Sequence, residues 1–224
     1  MAWTEESPFQ ALALTGGGYR GLFTARALQE MEDHIGEPIG RRFDLSYGTS
    51  IGGIIALAVA FEVPMQKVVE AFEKSGEKIF PPREKPTGRW GKGKDIFDHR
   101  SKPRYRSQDL RDVITSLIPE NATLNDAIHA VGIPAVNVTT GKPQVFKTRH
   151  KAEWTRDWKY KVVDVALATS AAPTFFELAE VDGQRYADGG LYANAPDLLA
   201  LHEAEHFYGL SSSAVRILSV GTTT

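Results

Sequence analysis

The sequence predicts an α/β fold: a mainly parallel sheet covered by helices on both faces. Two observations carry that prediction. Short apolar runs of strand length alternate with longer stretches of helical spacing. Two glycine-rich turns, "TGGGYRG" at 15–21 and "YGTSIGG" at 47–53, each follow a strand pattern and open a helix pattern. In parallel sheets, such turns collect functional groups at the carboxyl edge of the strands. There is no internal repeat, no low-complexity segment and no composition break, so one domain over residues 1–224 is expected.

Phe9–Leu14 reads as the first strand. Tyr19–His34 follows as a helix, with Leu22, Ala25, Leu28 and Met31 spaced to bury one face. Residues 42–48, "RFDLSYG", form a short buried strand. Residues 50–61, "SIGGIIALAVAF", are apolar nearly all round, so this helix belongs deep in the core. Pro64 opens a helix toward Phe80, its fixed φ suiting a first helical position. A Pro/Gly-rich basic stretch over 80–106 then reads as a long loop. Ser107 is expected as the N-cap of a helix ending near Pro119. Residues 132–140 and 144–148 flank Gly141-Lys142-Pro143 as a hairpin, and 160–172 form a helix stopped by Pro173. "FELAEV" and "QRYAD" flank Asp182-Gly183, a strong hairpin signal. A helix over Pro196–Tyr208 and a strand over Ala214–Val220 follow. The chain stops four residues after that strand, which predicts a continuation past Thr224.

A net charge of −2 gives no general attraction to DNA or RNA, and neither is expected as a partner. With no cysteine, disulfides and thiolate zinc sites are excluded, as suits a reducing compartment. "MAWTEESPFQ" lacks the basic and apolar regions of a signal peptide. The longest apolar run, 51–61, falls short of the roughly 20 residues of a membrane span. A cytoplasmic location is therefore expected. The charge is uneven, however: residues 80–106 carry nine Lys/Arg against three acids, and 147–161 six against two. These stretches read either as solvated loops or as a face meeting anionic lipid, with Trp90, Trp154 and Trp158 as anchors.

Four patterns could carry chemistry. Gly16, Gly18 and Gly21 fit G-x-G-x-x-G after a strand, the context of dinucleotide binding. That fingerprint needs an acid at the end of the second strand; Asp44 stands at its front, and Gly48-Thr49-Ser50 occupies the end. Gly88, Gly93 and Lys94 have phosphate-loop spacing, but Asp95 replaces the Ser/Thr and no strand precedes. His202, Glu203 and His206 match H-E-x-x-H, which on a helix could hold zinc with Glu203 as general base. No third ligand is marked, and the plainer reading is the polar outer face of a helix. Gly48-Thr49-Ser50-Ile51-Gly52 is G-x-S-x-G between a buried strand and a buried helix, the context of a nucleophile elbow.

The last pattern accounts for the first. An ester-cleaving serine needs donors for the oxyanion, and consecutive glycines before a helix leave backbone N–H groups unobstructed. Arg20 reads either as a support for that loop or as a surface ion pair. The serine also needs a proton acceptor. A histidine following an acid fits the chain order poorly. Asp188, before Gly189 and Gly190, could act alone, although an Asp-Gly turn is the simpler reading in isolation.

Together these residues resemble the patatin-like phospholipases. "ATSAAPTFF" at 168–176 and Asn194-Ala-Pro196 strengthen the resemblance, which runs from about Phe9 to Thr222. It implies a three-layer α/β/α fold and a Ser50–Asp188 dyad without histidine. Gly16, Gly17, Gly18, Arg20 and Gly21 correspond to the oxyanion loop, Gly48 and Gly52 to the elbow, and Gly189 and Gly190 to the D-G-G motif. Thr15 stands where many members have Asp. The family implies a lipid acyl hydrolase needing no metal or cofactor and acting on phospholipid at the inner face of the cell membrane. The chain looks most like bacterial members, some of which are antiphage effectors switched on by a cyclic dinucleotide such as cyclic GMP-AMP. A zinc metallopeptidase on the H-E-x-x-H residues and a non-catalytic lipid-binding module are the rivals, and the oligomeric state is left open.

Overall fold

The computed structural model describes residues 3–79 and 104–222. Most of the basic 80–106 stretch, including Trp90 and the Gly88/Gly93/Lys94 pattern, lies outside the described residues.

Strand β1 (Phe9–Leu14) leads through a 3-10 turn at Gly18–Arg20 into helix α1 (Gly21–Ile35). Strand β2 (Leu45–Gly48) feeds α2 (Ile51–Ala60), and α3 (Met65–Ile79) follows. Next come α4 (Ser107–Leu117), the hairpin β3 (Val131–Asn137) and β4 (Lys142–Lys147), and α5 (Val162–Ser170). The second hairpin is β5 (Ala179–Val181) and β6 (Gln184–Asp188). Short α6 (Gly190–Ala193), α7 (Asp197–His202) and β7 (Val215–Val220) complete the described chain.

Two expectations are corrected. Ser107 is the first residue of α4 rather than its cap; Arg106 holds the capping position in extended conformation, and no side chain bonds the helix end. The helix stops before Pro119 because Ile118 is held extended, as residues preceding proline are. The expected helix over 196–208 is regular only to His202; Glu203–Phe207 form a π-helical turn, with Tyr208 N–H donating to Glu203 O. Glu203 stands three residues after buried Ala200 and beside buried Ala204, so it shares their inward face.

The three layers follow from the alternation of β1. Phe9 and Ala11 point to a cluster with Leu45, Tyr47, Ala200 and Ala204, under α7. Leu12 and Leu14 point the other way, into the larger core with Ile54, Ile55 and Leu57 of α2 and Val165 and Ala166 of α5. All ten residues of α2 are buried, as a helix apolar all round requires.

The sheet runs β5-β6-β3-β2-β1-β7, with β4 also paired to β3. β1 is parallel to β2 and to β7, and β2 to β3. The β3–β4, β3–β6 and β5–β6 pairs are antiparallel. Ala135–Asn137 pair with both β4 and β6, so those two flank β3 on opposite edges. Gly132 pairs with both β2 and β4, which puts β2 on the same edge as β6. The ends of β2 and β6 therefore meet head to head along one side of β3. Among the described residues, no helix is long and apolar enough to cross a membrane.

Candidate active site

Ser50 occupies the turn between β2 and α2 with φ 57° and ψ −126°, a region that residues bearing a side chain rarely adopt. The flanking glycines make the turn possible. A Cβ on Gly48 would run into the Gly52 backbone, and one on Gly52 would lie 2.5 Å from Leu14 O. The turn thrusts the serine hydroxyl into a cavity at the carboxyl edge of the sheet.

There Ser50 Oγ donates to Asp188 Oδ2 at 2.7 Å. Asp188 ends β6 and is almost fully buried. Its other oxygen, Oδ1, accepts from Gly190 N–H at 2.6 Å. Burial pushes the carboxyl above the usual aspartate range, against the opposing pull of the hydrogen bonds from Gly190 and Ser50. Among the described residues, no histidine bonds the two side chains; Gly190 N–H serves Asp188, and the Ser50 N–H is held by Thr169.

Thr169 is a positioning residue that the sequence reading did not single out. Its Oγ1 accepts Ser50 N–H at 3.0 Å and donates to Pro134 O at 2.6 Å. Proline has no N–H to offer the ladder, and its carbonyl, on β3 where β2 gives way to β6, holds Thr169 in place. The signal for Thr169 lay in "ATSAAP", and that for Asn194 in Asn194-Ala-Pro196, but neither pattern states a role.

The glycine loop divides by function. Gly16 N–H donates to Asn194 O at 3.0 Å, and Asn194 Nδ2 reaches back to Gly16 O at 3.4 Å. Gly16 is thus an anchor, and its N–H is not available to an oxyanion. Gly21 lets α1 start against Ile51, where a Cβ would lie 2.5 Å from the isoleucine side chain. Gly17 and Gly18 line the cavity beside Ser50 and Asp188, and Gly18 has φ 58°. Arg20 Nε donates to Gly17 O at 3.4 Å and so braces the loop. Thr15 Oγ1 accepts Thr222 N–H at 3.2 Å, tying the loop to the segment after β7. Gly189 opens the turn into α6.

The cavity, about 450 Å³, has these polar groups at one end and Ile51, Ile54, Leu110, Phe175 and Phe176 along its walls. A larger cavity of about 810 Å³ lies elsewhere, beside β4 and β6, lined by Lys147, Trp154, Arg156 and Asp157 among others.

The H-E-x-x-H residues do not form a metal centre. His202 and His206 stack, with ring centres 5.1 Å apart, but Glu203 turns to the opposite side and is buried to 1 % exposure. It accepts from Tyr47 Oη at 2.8 Å and Lys147 Nζ at 2.5 Å, and lies 3.0 Å from His150 Nε2. Burial works to raise its carboxyl, but the hydrogen bonds from His150 and Lys147 outweigh it and hold the carboxyl below the usual range. Among the described residues, no cluster of three or more His, Asp or Glu could hold a metal ion. Glu203 is a structural anion beneath the sheet, not a general base. The tryptophans of 147–161 are partly buried. Trp154 packs edge-on against His150 and Phe207 with Lys147 Nζ 4.4 Å above its ring, and Trp158 is half-buried.

A strained serine at a strand–helix elbow, bonded to a buried acid at the end of a strand that shares one edge of β3, defines an α/β protein with a serine–aspartate pair. Comparison with known proteins makes this specific: the chain belongs to the patatin-like phospholipase family, whose sequence profile matches residues 12–201. It is 44% identical over 217 residues to a cGAMP-activated phospholipase of Pseudomonas aeruginosa, covering 96% of this chain and 63% of that protein. It is 42% identical over 230 residues to a cGAMP-activated phospholipase of Vibrio cholerae, covering 94% and 63%. The chain thus spans under two thirds of the length of these relatives. VipD from Legionella pneumophila shares the fold, with a TM-score of 0.53, 14% identity and coverage of 96% of this chain and 51% of that one.

Proposed function

We propose that this chain is the hydrolase domain, over residues 1–224, of a phospholipid acyl hydrolase whose nucleophile is Ser50 and whose base is Asp188. The observation that carries the reading is the 2.7 Å hydrogen bond from Ser50 Oγ to Asp188 Oδ2 beside the Gly17–Gly18 turn. Ser50 Oγ attacks the ester carbonyl while its proton passes to Asp188. The N–H groups of Gly17 and Gly18 receive the oxyanion, joined by that of Ile51 at the first position of α2, where no intrahelical acceptor exists. Ser50 N–H takes no part, being held by Thr169. Asp188 then gives its proton to the leaving alcohol. An acyl-enzyme remains, and a water deprotonated by Asp188 releases the fatty acid. Proton and oxyanion are both served by groups of this chain, so the cycle calls for no metal or cofactor. The apolar cavity wall accommodates an acyl chain.

The substrate in this reading is membrane phospholipid at the cytoplasmic face. The activator is a cyclic dinucleotide, as the similarity to two cGAMP-activated phospholipases at 44% and 42% identity supports. The test is fatty-acid release from phospholipid vesicles by the purified protein, with and without cyclic GMP-AMP. Release that rises with the nucleotide and vanishes in Ser50→Ala is expected; equal release from Ser50→Ala overturns the assignment.

A further inference from the structure

We propose that the mouth of the Ser50 cavity is a docking face for a phospholipid bilayer, with Phe23 and Leu198 among its outermost apolar side chains. The proposal rests on the lipid-hydrolase reading and adds the surface through which substrate is reached.

Among the described residues, nine large hydrophobic side chains are exposed. Seven of them, all but Ile128 and Val138, line the cavity or stand within four positions of a residue that does. Leu198 is 78% exposed, Leu191 59% and Phe23 50%. They come from three separate parts of the chain that converge on the carboxyl edge of the sheet: the start of α1, the α6–α7 segment and the loop after α5. Soluble surfaces scatter single apolar residues, whereas a concentration around an opening marks an interaction site.

The occupant follows from continuity with the cavity. Phe175 and Leu191 line the cavity with Ser50 and are at the same time 38% and 59% exposed, so its apolar lining reaches the surface. An acyl chain could therefore slide from a bilayer to the serine without crossing water. The basic 147–161 stretch offers no comparable face, since its Trp154 and Lys147 are packed together against Phe207.

The test uses the complete protein carrying Phe23→Asp, Leu198→Asp or both, with Phe23→Gln and Leu198→Gln as milder replacements. Three properties are measured: hydrolysis of monomeric p-nitrophenyl butyrate, fatty-acid release from phosphatidylglycerol/phosphatidylethanolamine vesicles, and co-sedimentation with those vesicles. The double Asp variant should keep the soluble-ester rate within about twofold, lose about tenfold or more of vesicle hydrolysis, and sediment less. Ser50→Ala should sediment like the parent. Unchanged vesicle binding in the double variant overturns the proposal. So does an equal loss on both substrates that the Gln variants share. A change in oligomeric state that accounts for the lost hydrolysis also overturns it, in favour of a second copy on this face. If the parent, with cyclic GMP-AMP present, hydrolyses neither substrate yet sediments through Phe23 and Leu198, the docking face stands and the hydrolase reading fails.

Discussion

Ser50 and Asp188, 138 positions apart, bond to each other because their strands reach one edge of β3 from opposite ends: Tyr47 lies opposite Gly132, and Asp188 opposite Ala135. The dyad is thus built into sheet register rather than into a flexible loop. Ser50→Ala and Asp188→Asn should each lower ester hydrolysis by roughly a thousandfold or more while leaving far-UV circular dichroism unchanged. A fluorophosphonate probe should label the parent at Ser50. Parental turnover in either variant refutes the pairing.

The raised carboxyl of Asp188 has two consequences for pH. A base must be ionised to act, so kcat/KM should fall on the acid side with an apparent pKa above the ordinary aspartate value of about 4. Because folding favours the protonated form, the stability linked to that proton is present below the usual aspartate range and is lost as pH rises through the folded value. At pH 8 the buried carboxylate is a net cost, and Asp188→Asn should melt above the parent. The gap should close near pH 3, and each kcal/mol corresponds to about 2–4 °C in a domain of this size. A melting difference independent of pH would contradict the burial argument.

Thr169→Val should separate positioning from chemistry. The substitution keeps the shape but strands Ser50 N–H and Pro134 O, at a cost of about 1–3 kcal/mol for each buried group left unpaired. Without that tether the elbow loosens, so kcat should drop more than KM rises. Thr169→Ser should restore most of the rate. Equal kinetics for Val and Thr would show that the Ser50 turn holds itself.

Glu203 predicts a stability effect far from the cavity. Removing its carboxylate in Glu203→Ala leaves Lys147 and Tyr47 facing a void in the layer under α7, and breaking a buried pair of this kind costs about 3–5 kcal/mol. Glu203→Gln should cost less. Because the carboxyl is held below its usual range, this stabilisation is present above that range and lost as pH falls through the lowered value. Thermal melts between pH 3 and 8 measure it.

Much of this was legible in residue order alone. Strand–glycine–helix punctuation placed β1, β2 and the elbow, and the two Gly-rich turns do lie on adjacent parallel strands. The Asp182-Gly183 turn placed the β5–β6 hairpin, hence the strand end that bears Asp188. What stayed hidden depends on contacts between distant segments. That Gly16 spends its N–H on Asn194, or that Thr169 holds the serine, follows from β3 carrying β2 and β6 on one edge, which no local pattern encodes. Polarity also hid Glu203. It shares the inward face of Ala200 and Ala204, and its partners Tyr47, Lys147 and His150 are brought to it only by the fold.

The head-to-head arrangement on β3 also bears on when the reactive centre comes into being during synthesis. A ribosome that has passed the β2–α2 turn has already delivered the hydroxyl, yet the partner acid is the last residue of the second hairpin. The loop that holds Gly17 further awaits β7, which pairs with β1 across the whole length of the chain. Nascent polypeptides short of those strands carry the serine without its acceptor, so the Ser50–Asp188 pair can form only once β6 has been made.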